Sequence, residues 1–184
     1  MSASSSPSTW QIPVDFTITK APLGLTGAGD LTVYDANGNF VFRIKRCSNS
    51  HPRRIKTLFD AMGNPLITVV HHNDGWQAFR GDNYERNDLI FTVEKTLYSP
   101  IKTELEVFLS GRNQGDLKPS FRLKGNPFRR SCTIFNGNSI FAQTSLFYKL
   151  RKVIYSRRKF RLTVYPGNDP VLVMAMLVVF FGGS

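Results

Sequence analysis

Val171-Leu172-Val173-Met174-Ala175-Met176-Leu177-Val178-Val179-Phe180-Phe181 is an unbroken apolar run of eleven residues near the end of a 184-residue chain. As a helix rising about 1.5 Å per residue it covers roughly 17 Å, little more than half of the ~30 Å hydrocarbon layer of a bilayer, so a transmembrane span is not expected. Its flanks favour a helix. Asn168 or Asp169 can cap free N–H groups, Pro170 suits a first turn because its missing donor costs nothing there, and Gly182 is a natural stop. A buried strand is the rival reading, since Val171, Val173, Val178 and Val179 favour extended backbone and periodicity does not separate the two. A helix apolar on every side demands burial all round, which places it in the middle of a core.

The chain before this run reads as short strands and turns. In Leu31–Tyr34 and Phe40–Lys45, residues Leu31, Val33, Phe40, Phe42 and Ile44 fall on one face, with Thr32, Arg43 and Lys45 on the other. Asp35-Ala36-Asn37-Gly38-Asn39 joins them, and an Asn-Gly pair between alternating runs predicts a hairpin whose two turn residues take positive φ. The phrase returns as Asp60-Ala61-Met62-Gly63-Asn64, between Thr57–Phe59 and Leu66–Val70, and echoes in Phe135-Asn136-Gly137-Asn138-Ser139-Ile140. Gly75–Phe79, Leu89–Lys95 (Leu89, Phe91 and Val93 inward), Glu104–Leu109 (Leu105, Val107 and Leu109 inward) and Phe121–Lys124 complete a meander of antiparallel strands. So many regular strands imply a closed or nearly closed barrel, or else a sandwich, because exposed edges invite aggregation. A barrel around one wholly apolar helix accounts for both halves of the pattern.

At 184 residues one domain suffices. Residues 1–13 are rich in Ser and Pro and read as a disordered tail with neither a signal peptide nor a basic anchor, leaving 14–184 as a single domain. Cys47 and Cys132 have no paired spacing and read as reduced thiols of a cytosolic protein. His51, His71 and His72 lack ligand spacing, and adjacent His71 and His72 on a strand face opposite ways, so neither a metal nor another cofactor is expected. Trp76, beside Phe79 on an alternating strand, reads as barrel wall or core.

Asp35 to Lys45, Gly75-Trp76-Gln77-Ala78-Phe79-Arg80-Gly81, Leu89-Ile90-Phe91-Thr92-Val93, Phe121-Arg122-Leu123-Lys124-Gly125 and Leu162-Thr163-Val164-Tyr165-Pro166, in this order, resemble the LURP-one-related family of plant proteins over about Ile12 to Phe181. The resemblance implies a mainly β, Tubby C-terminal-like fold: a closed antiparallel barrel of about twelve strands threaded by a hydrophobic C-terminal helix and shared with phospholipid scramblases. It also implies a link to plant defence, with relatives that hold phosphoinositide headgroups or act as membrane-tethered transcription regulators. It carries no catalytic motif and no headgroup residues that can be placed on this chain.

The charge balance stands apart from that resemblance. Lys and Arg number 24 against 13 Asp and Glu, a formal net charge of +11. From Leu117 to Asn168 there is no carboxylate, yet twelve basic residues occur. If Leu146–Tyr155 and Arg158–Tyr165 pair as a hairpin, Phe160, Leu162 and Val164 face inward, and Lys159 and Arg161 face outward across from Lys149 and Arg151. Such like-charge opposition is relieved by an anion, phosphate above all. The candidate headgroup-binding residues are Lys149, Arg151, Lys152, Arg157, Arg158, Lys159 and Arg161, with Arg43, Lys45 and Arg46 as a second patch that Arg53, Arg54 and Lys56 can widen.

These features predict a non-enzymatic module that docks peripherally on anionic, phosphoinositide-bearing membranes from the cytoplasm. Ser2 stands where a myristoylation signal has Gly and the last four residues hold no Cys, so no covalent lipid anchor is expected. Three other readings compete. Phe147, Tyr148, Tyr155 and Phe160 interleave with the basic residues as in binders of single-stranded nucleic acid, and Arg157-Arg158-Lys159-Phe160-Arg161 has the form of a nuclear import signal. A solvated basic face on a purely structural or protein-interaction domain is the plainest reading. Catalysis has the least support: Asp74 and Asp82 flank the Trp76 segment near two His residues, but turn carboxylates usually satisfy local donors, and no nucleophile or phosphate-loop motif is present.

Overall fold

The computed structural model describes residues 12–21, 30–47, 54–72, 75–83, 85–99, 101–111, 118–147 and 158–182. Most of the Ser/Pro-rich leading segment, Trp10 included, lies outside them. Twelve strands run in chain order: β1 (Val14–Lys20), β2 (Leu31–Tyr34), β3 (Phe40–Arg46), β4 (Ile55–Asp60), β5 (Pro65–His72), β6 (Gly75–Arg80), β7 (Leu89–Tyr98), β8 (Thr103–Leu109), β9 (Phe121–Asn126), β10 (Ser131–Asn136), β11 (Ser139–Leu146) and β12 (Lys159–Val164). Each pairs antiparallel with its sequence neighbours, and β12 closes on β1 with Phe16 opposite Leu162 and Ile18 opposite Phe160. The barrel therefore has no free edge.

The apolar run is a helix, α1 (Pro170–Gly182), lying inside the barrel. Asp169 caps it: its carboxylate accepts from the Val171 N–H at 2.8 Å and its carbonyl from the Val173 N–H at 3.1 Å. Gly182, read from sequence as the stop, is the last helical residue. A strand is excluded physically as well as by observation, because inside a closed barrel it would find no partner for either edge, whereas a helix bonds its own backbone. Val173 through Phe180 are buried. The inward side chains of the strands meet them in one cluster that includes Val33, Ile44, Phe91, Val107, Leu123, Ile134 and Leu162. Trp76 joins this core, its ring edge-on to His71 at 5.0 Å.

Alternation in the sequence maps onto this wall with two exceptions: Phe40, expected inward, pairs with Tyr34 beyond the shift between Val33 and Tyr34 and lies outside the core under Arg43, and Leu89 is the other. Phe91 and Val93 face inward as expected, but a register shift between Ala78 and Phe79 sets Leu89 opposite Phe79. Leu89 consequently packs in a small cluster with Ile55, Val70 and Phe79 rather than in the main core.

The repeated Asp-Ala-x-Gly-Asn phrase also builds a turn different from the one its Asn-Gly pair suggests. Only the glycine adopts positive φ, 85° at Gly38 and 90° at Gly63. Gly38 N–H donates to the Asp35 carbonyl and Asp35 N–H to the Asn39 carbonyl, and a register shift follows between Val33 and Tyr34. This is a three-residue loop with a glycine bulge, repeated at 60–64. The leading Asp explains the longer loop: Asp35 Oδ1 accepts from Asn37 and Asn39 N–H and Oδ2 from the Asn39 amide, and Asp60 does the same with Met62 and Asn64.

Gly125 has a different task. A Cβ there would overlap the Ser131 carbonyl oxygen and come to 2.8 Å from Cys132 Cα, both backbone atoms of the adjacent strand. Gly125→Ala is expected to destabilise the fold by about 3 kcal/mol or more, read by chemical denaturation; a loss under about 0.5 kcal/mol would show that β9 and β10 are not held this closely.

The two turn carboxylates give a pH test. The Asn39 and Asn64 side-chain amides, followed by backbone N–H groups, hold Asp35 and Asp60 below the ordinary Asp range. A depressed folded pKa means stabilisation that is complete above the unfolded value of about 3.9 and lost as pH falls through the folded one. The double variant Asp35→Ala/Asp60→Ala should melt below wild type at pH 7, with the gap closing by about pH 2. A gap independent of pH would assign it to the side chains' bulk instead.

Candidate anion-binding site at the barrel mouth

Antiparallel register sorts the chain between two barrel ends. At the entry end lie the turns at 35–39, 60–64, 81–88 and 136–139 and the start of α1. Its carboxylates include Asp35, Asp60, Asp82, Asp88 and Asp169, against Arg80, Arg86 and Lys118 among the described residues. The exit end, where α1 finishes, gathers Lys20, Arg46, Arg54, Lys56, Arg129, Arg130, Arg158 and Lys159. The barrel is electrically polarised along its axis.

The innermost cations arise from strand alternation carried past the apolar core. Phe16 and Ile18 point inward and Lys20 follows in the same row; Phe42 and Ile44 are followed by Arg46; Leu58 is preceded by Lys56 and Arg54. Arg46 and Lys56 are directly paired across β3 and β4. These four line a recess of about 250 Å³ with Ile55, closed below by Phe181 and Gly182. Lys56 reaches over the last helical turn, its Nζ 2.6 Å from where a Gly182 Cβ would stand, so glycine is what leaves room for the ammonium. The negative end of the helix dipole favours a cation there. Burial nevertheless pushes the Lys56 ammonium down to about 8, and repulsion from Arg46, Lys20, Arg54 and Arg130 adds to it.

Arg130 closes the opposite side of the mouth. It stands at φ 52° after the 3-10 turn Pro127–Arg129, whose Arg129 N–H is capped by the Asn126 side chain at 3.1 Å. Thr144 Oγ1 donates to the Arg130 carbonyl at 2.7 Å, and the guanidinium lies 5.3 Å from the Phe181 ring centre and 5.8 Å from that of Phe160. Apolar tips surround this end: Ile101 and Phe128 are 76% and 55% exposed and Leu97 is 40% exposed. The Asn126 amide donates to the Ile101 carbonyl at 2.8 Å, which ties the two most exposed tips' loops together.

The residues singled out from sequence fall into separate places. Arg43 and Lys45 lie on the outer face of β3, over the rings of Phe40 and Phe59, whereas Arg46 turns the other way into the recess, so these three are not one patch. Arg158 stands at the exit end, its carbonyl accepting from Lys20 N–H at 2.7 Å. Lys159 and Arg161 are on the outer face of β12, both against the Phe147 ring, and Arg161 also meets Asp15 at 3.9 Å. Lys149, Arg151, Lys152 and Arg157 lie outside the described residues. For Arg161 the register corrects the expected opposition to a cation, while Lys159 stands opposite Thr19 of β1. Arg161 faces Ser145 on β11 and Thr17 on β1, because β11 starts at Ser139 and its pairing with β12 ends at Leu146 opposite Phe160. Phe160 is 1% exposed, beneath Arg130 and against Phe181, so it offers no face for stacking a base. Nothing in the charge pattern of the sequence singles out Lys20 or Arg130 as site residues.

Comparison with known proteins now decides the family. The LURP-one-related family profile matches residues 14–181. The chain belongs to the LURP-one-related family. It is 42% identical over 175 residues to LURP-one-related 7 of Arabidopsis thaliana, covering 94% of this chain and 91% of that protein. It is 33% identical to LURP-one-related 15 of the same plant, over 91% of this chain and 78% of that one. An Arabidopsis thaliana protein solved by X-ray crystallography superposes with a TM-score of 0.66 at 32% identity, covering 95% of this chain and 93% of that chain. This LURP-one-related barrel therefore has the Tubby C-terminal-like architecture expected from its motifs, and its named relatives are not named as enzymes. Among the described residues no helix is long and apolar enough to cross a membrane, and no cluster of His, Cys, Asp and Glu could hold a metal ion.

Proposed function

We propose that this LURP-one-related protein is a non-enzymatic module that docks its exit end, peripherally, on anionic phosphoinositide-bearing membranes. The observation that carries the reading is the concentration of cations at one barrel end beside the exposed Leu97, Ile101 and Phe128, while the exposed Ile12, Met62 and Ile140 lie at the other end, where carboxylates collect. Leu97, Ile101 and Phe128 can enter the headgroup boundary as the cations meet lipid phosphates. Each basic residue close to an anionic leaflet adds on the order of 1 kcal/mol, so four to six of them give roughly 4–6 kcal/mol, enough for reversible attachment. The opposite pole, being acidic, turns away from the same surface. Attachment of this kind is what a membrane-tethered regulator needs.

The test is sedimentation with phosphatidylcholine vesicles carrying an anionic phosphoinositide. Wild type should sediment with them and dissociate as salt rises. The variant Ile101→Asp/Phe128→Asp/Arg158→Glu/Lys159→Glu should lose at least tenfold in affinity at unchanged melting temperature, while Met62→Asp at the entry end should behave as wild type. Equal sedimentation of the exit-end variant would overturn the orientation. Absence of vesicle binding by wild type, with retention on single-stranded DNA at about 0.15 M salt, would replace the reading by a nucleic-acid one.

A further inference from the structure

We infer that the recess at the exit mouth is a seat for one phosphate monoester, a dianion at the free end of its carrier, held by Lys20, Arg46, Arg54 and Lys56. Where the carrier is a lipid, the inference rests on the docking proposed above; the seat itself requires only the ester.

The four cations come from β1, β3 and β4, with β2 between the first two, and from the approach to β4, and among the described residues no carboxylate lines the recess. Four cations elsewhere on the barrel sit against carboxylates. Lys102 and Lys124 share Glu104, Arg122 meets Glu106 and Arg161 meets Asp15. Among the described residues none of the four mouth cations forms such a bridge, and Asp30, beside them, spends an oxygen on the Arg46 backbone N–H at 3.2 Å. Like charges are held together here, on a floor of Phe181 and Gly182 and against Ile55, where apolar atoms limit screening. An anion removes that repulsion.

The shape selects the anion. The last turn of α1 floors the recess, so a ligand reaches the cations from the solvent side, end first. A diester phosphate carries substituents on two sides and a single charge, whereas a monoester presents three free oxygens and approaches two charges at neutral pH. Two guanidinium forks, Arg46 and Arg54, suit those oxygens in pairs, and the two ammonium groups supply point charge.

Lys56 couples the seat to pH. Facing it are Arg46 of β3, Lys20 of β1, Arg54 ahead of β4, and Arg130 across the mouth, all cations. With its pKa lowered to about 8, the empty seat loses one charge above that pH, and a dianion that restores the charge must bring a proton with it. Affinity should accordingly fall as pH rises past 8, although the ester itself is no less ionised there.

The experiment uses the full chain and vesicles of matched surface charge. One set carries phosphatidic acid, a monoester, and the other phosphatidylserine, a diester; inositol 1,4,5-trisphosphate is the soluble competitor. The seat predicts at least tenfold preference for phosphatidic acid, lost in Lys56→Met and in Arg46→Gln, whose phosphatidylserine binding falls only by the few-fold that one docking charge contributes. It predicts about tenfold weaker phosphatidic acid binding at pH 9 than at pH 7, and Lys56→Arg should abolish that pH dependence while keeping the preference. Displacement of the protein from phosphatidic acid vesicles by inositol trisphosphate would show that the seat accepts a free phosphate; no displacement, with the preference intact, would assign it to lipid. Equal binding to both vesicles, unaffected by Lys56→Met, would overturn the seat and leave docking standing. Binding to neither vesicle, with no binding of inositol trisphosphate, would overturn both.

Discussion

A twelve-stranded barrel is too wide to fill with its own side chains. Eight strands close a bore that inward residues can pack, and each added strand widens it. Something apolar, about 10 Å across and satisfied in its own hydrogen bonds, must occupy the axis, and an α-helix meets that description. The dependence is mutual, since α1 is apolar all round and has no face to show water. Seven of its large side chains are buried, at roughly 1.5–3 kcal/mol each, on the order of 10–20 kcal/mol in all, comparable with the ~5–15 kcal/mol by which a domain is stable. Barrel and helix form one cooperative unit.

That constraint also fixes where chemistry can occur. A bore filled by α1 offers no channel, so a ligand can meet only the outer wall or the two ends. The helix starts among carboxylates, with Asp169 as its cap, and finishes beneath Lys56, so its dipole agrees with the charge at both poles. The inward rows of β1, β3 and β4 change from apolar to basic where α1 runs out, because beyond its last turn there is no apolar surface left to cover. The same end carries Leu97, Ile101 and Phe128, whereas the exposed Ile12, Met62 and Ile140 stand at the acidic end, and the outer wall pairs some of its charges.

Much of the fold was legible because its signals are local. Alternation in Phe40–Lys45, the repeated Asp-Ala-x-Gly-Asn turn and the Asp169-Pro170 start of the helix each report backbone geometry within a few residues. Closure of β12 on β1 joins positions almost 150 residues apart, and it follows from sequence only through the number of regular strands, whose exposed edges would invite aggregation, and through family motifs. Leu89 was misplaced because a bulge between partners is a property of two strands, not one. The site was less legible for a related reason. Charge runs drew attention to 43–46 and 149–161, yet a run alternates between faces, which divides Arg43 and Lys45 from Arg46. Lys20 and Lys56, separated in sequence and unremarkable in composition, meet only through barrel closure. The signal that could have found them is the last inward position of each row: Lys20 after Ile18, Arg46 after Ile44, Lys56 before Leu58.

Native-state hydrogen exchange tests the central claim most directly. If the helix is the filling on which the closed barrel depends, the slowest amides of Val173–Phe180 will exchange only through global unfolding, with the same free energy as those of β9–β12 and the same dependence on denaturant. Exchange of the helix at a markedly lower free energy, while the strands stay protected, would show that the barrel stands without its core helix and would contradict the account.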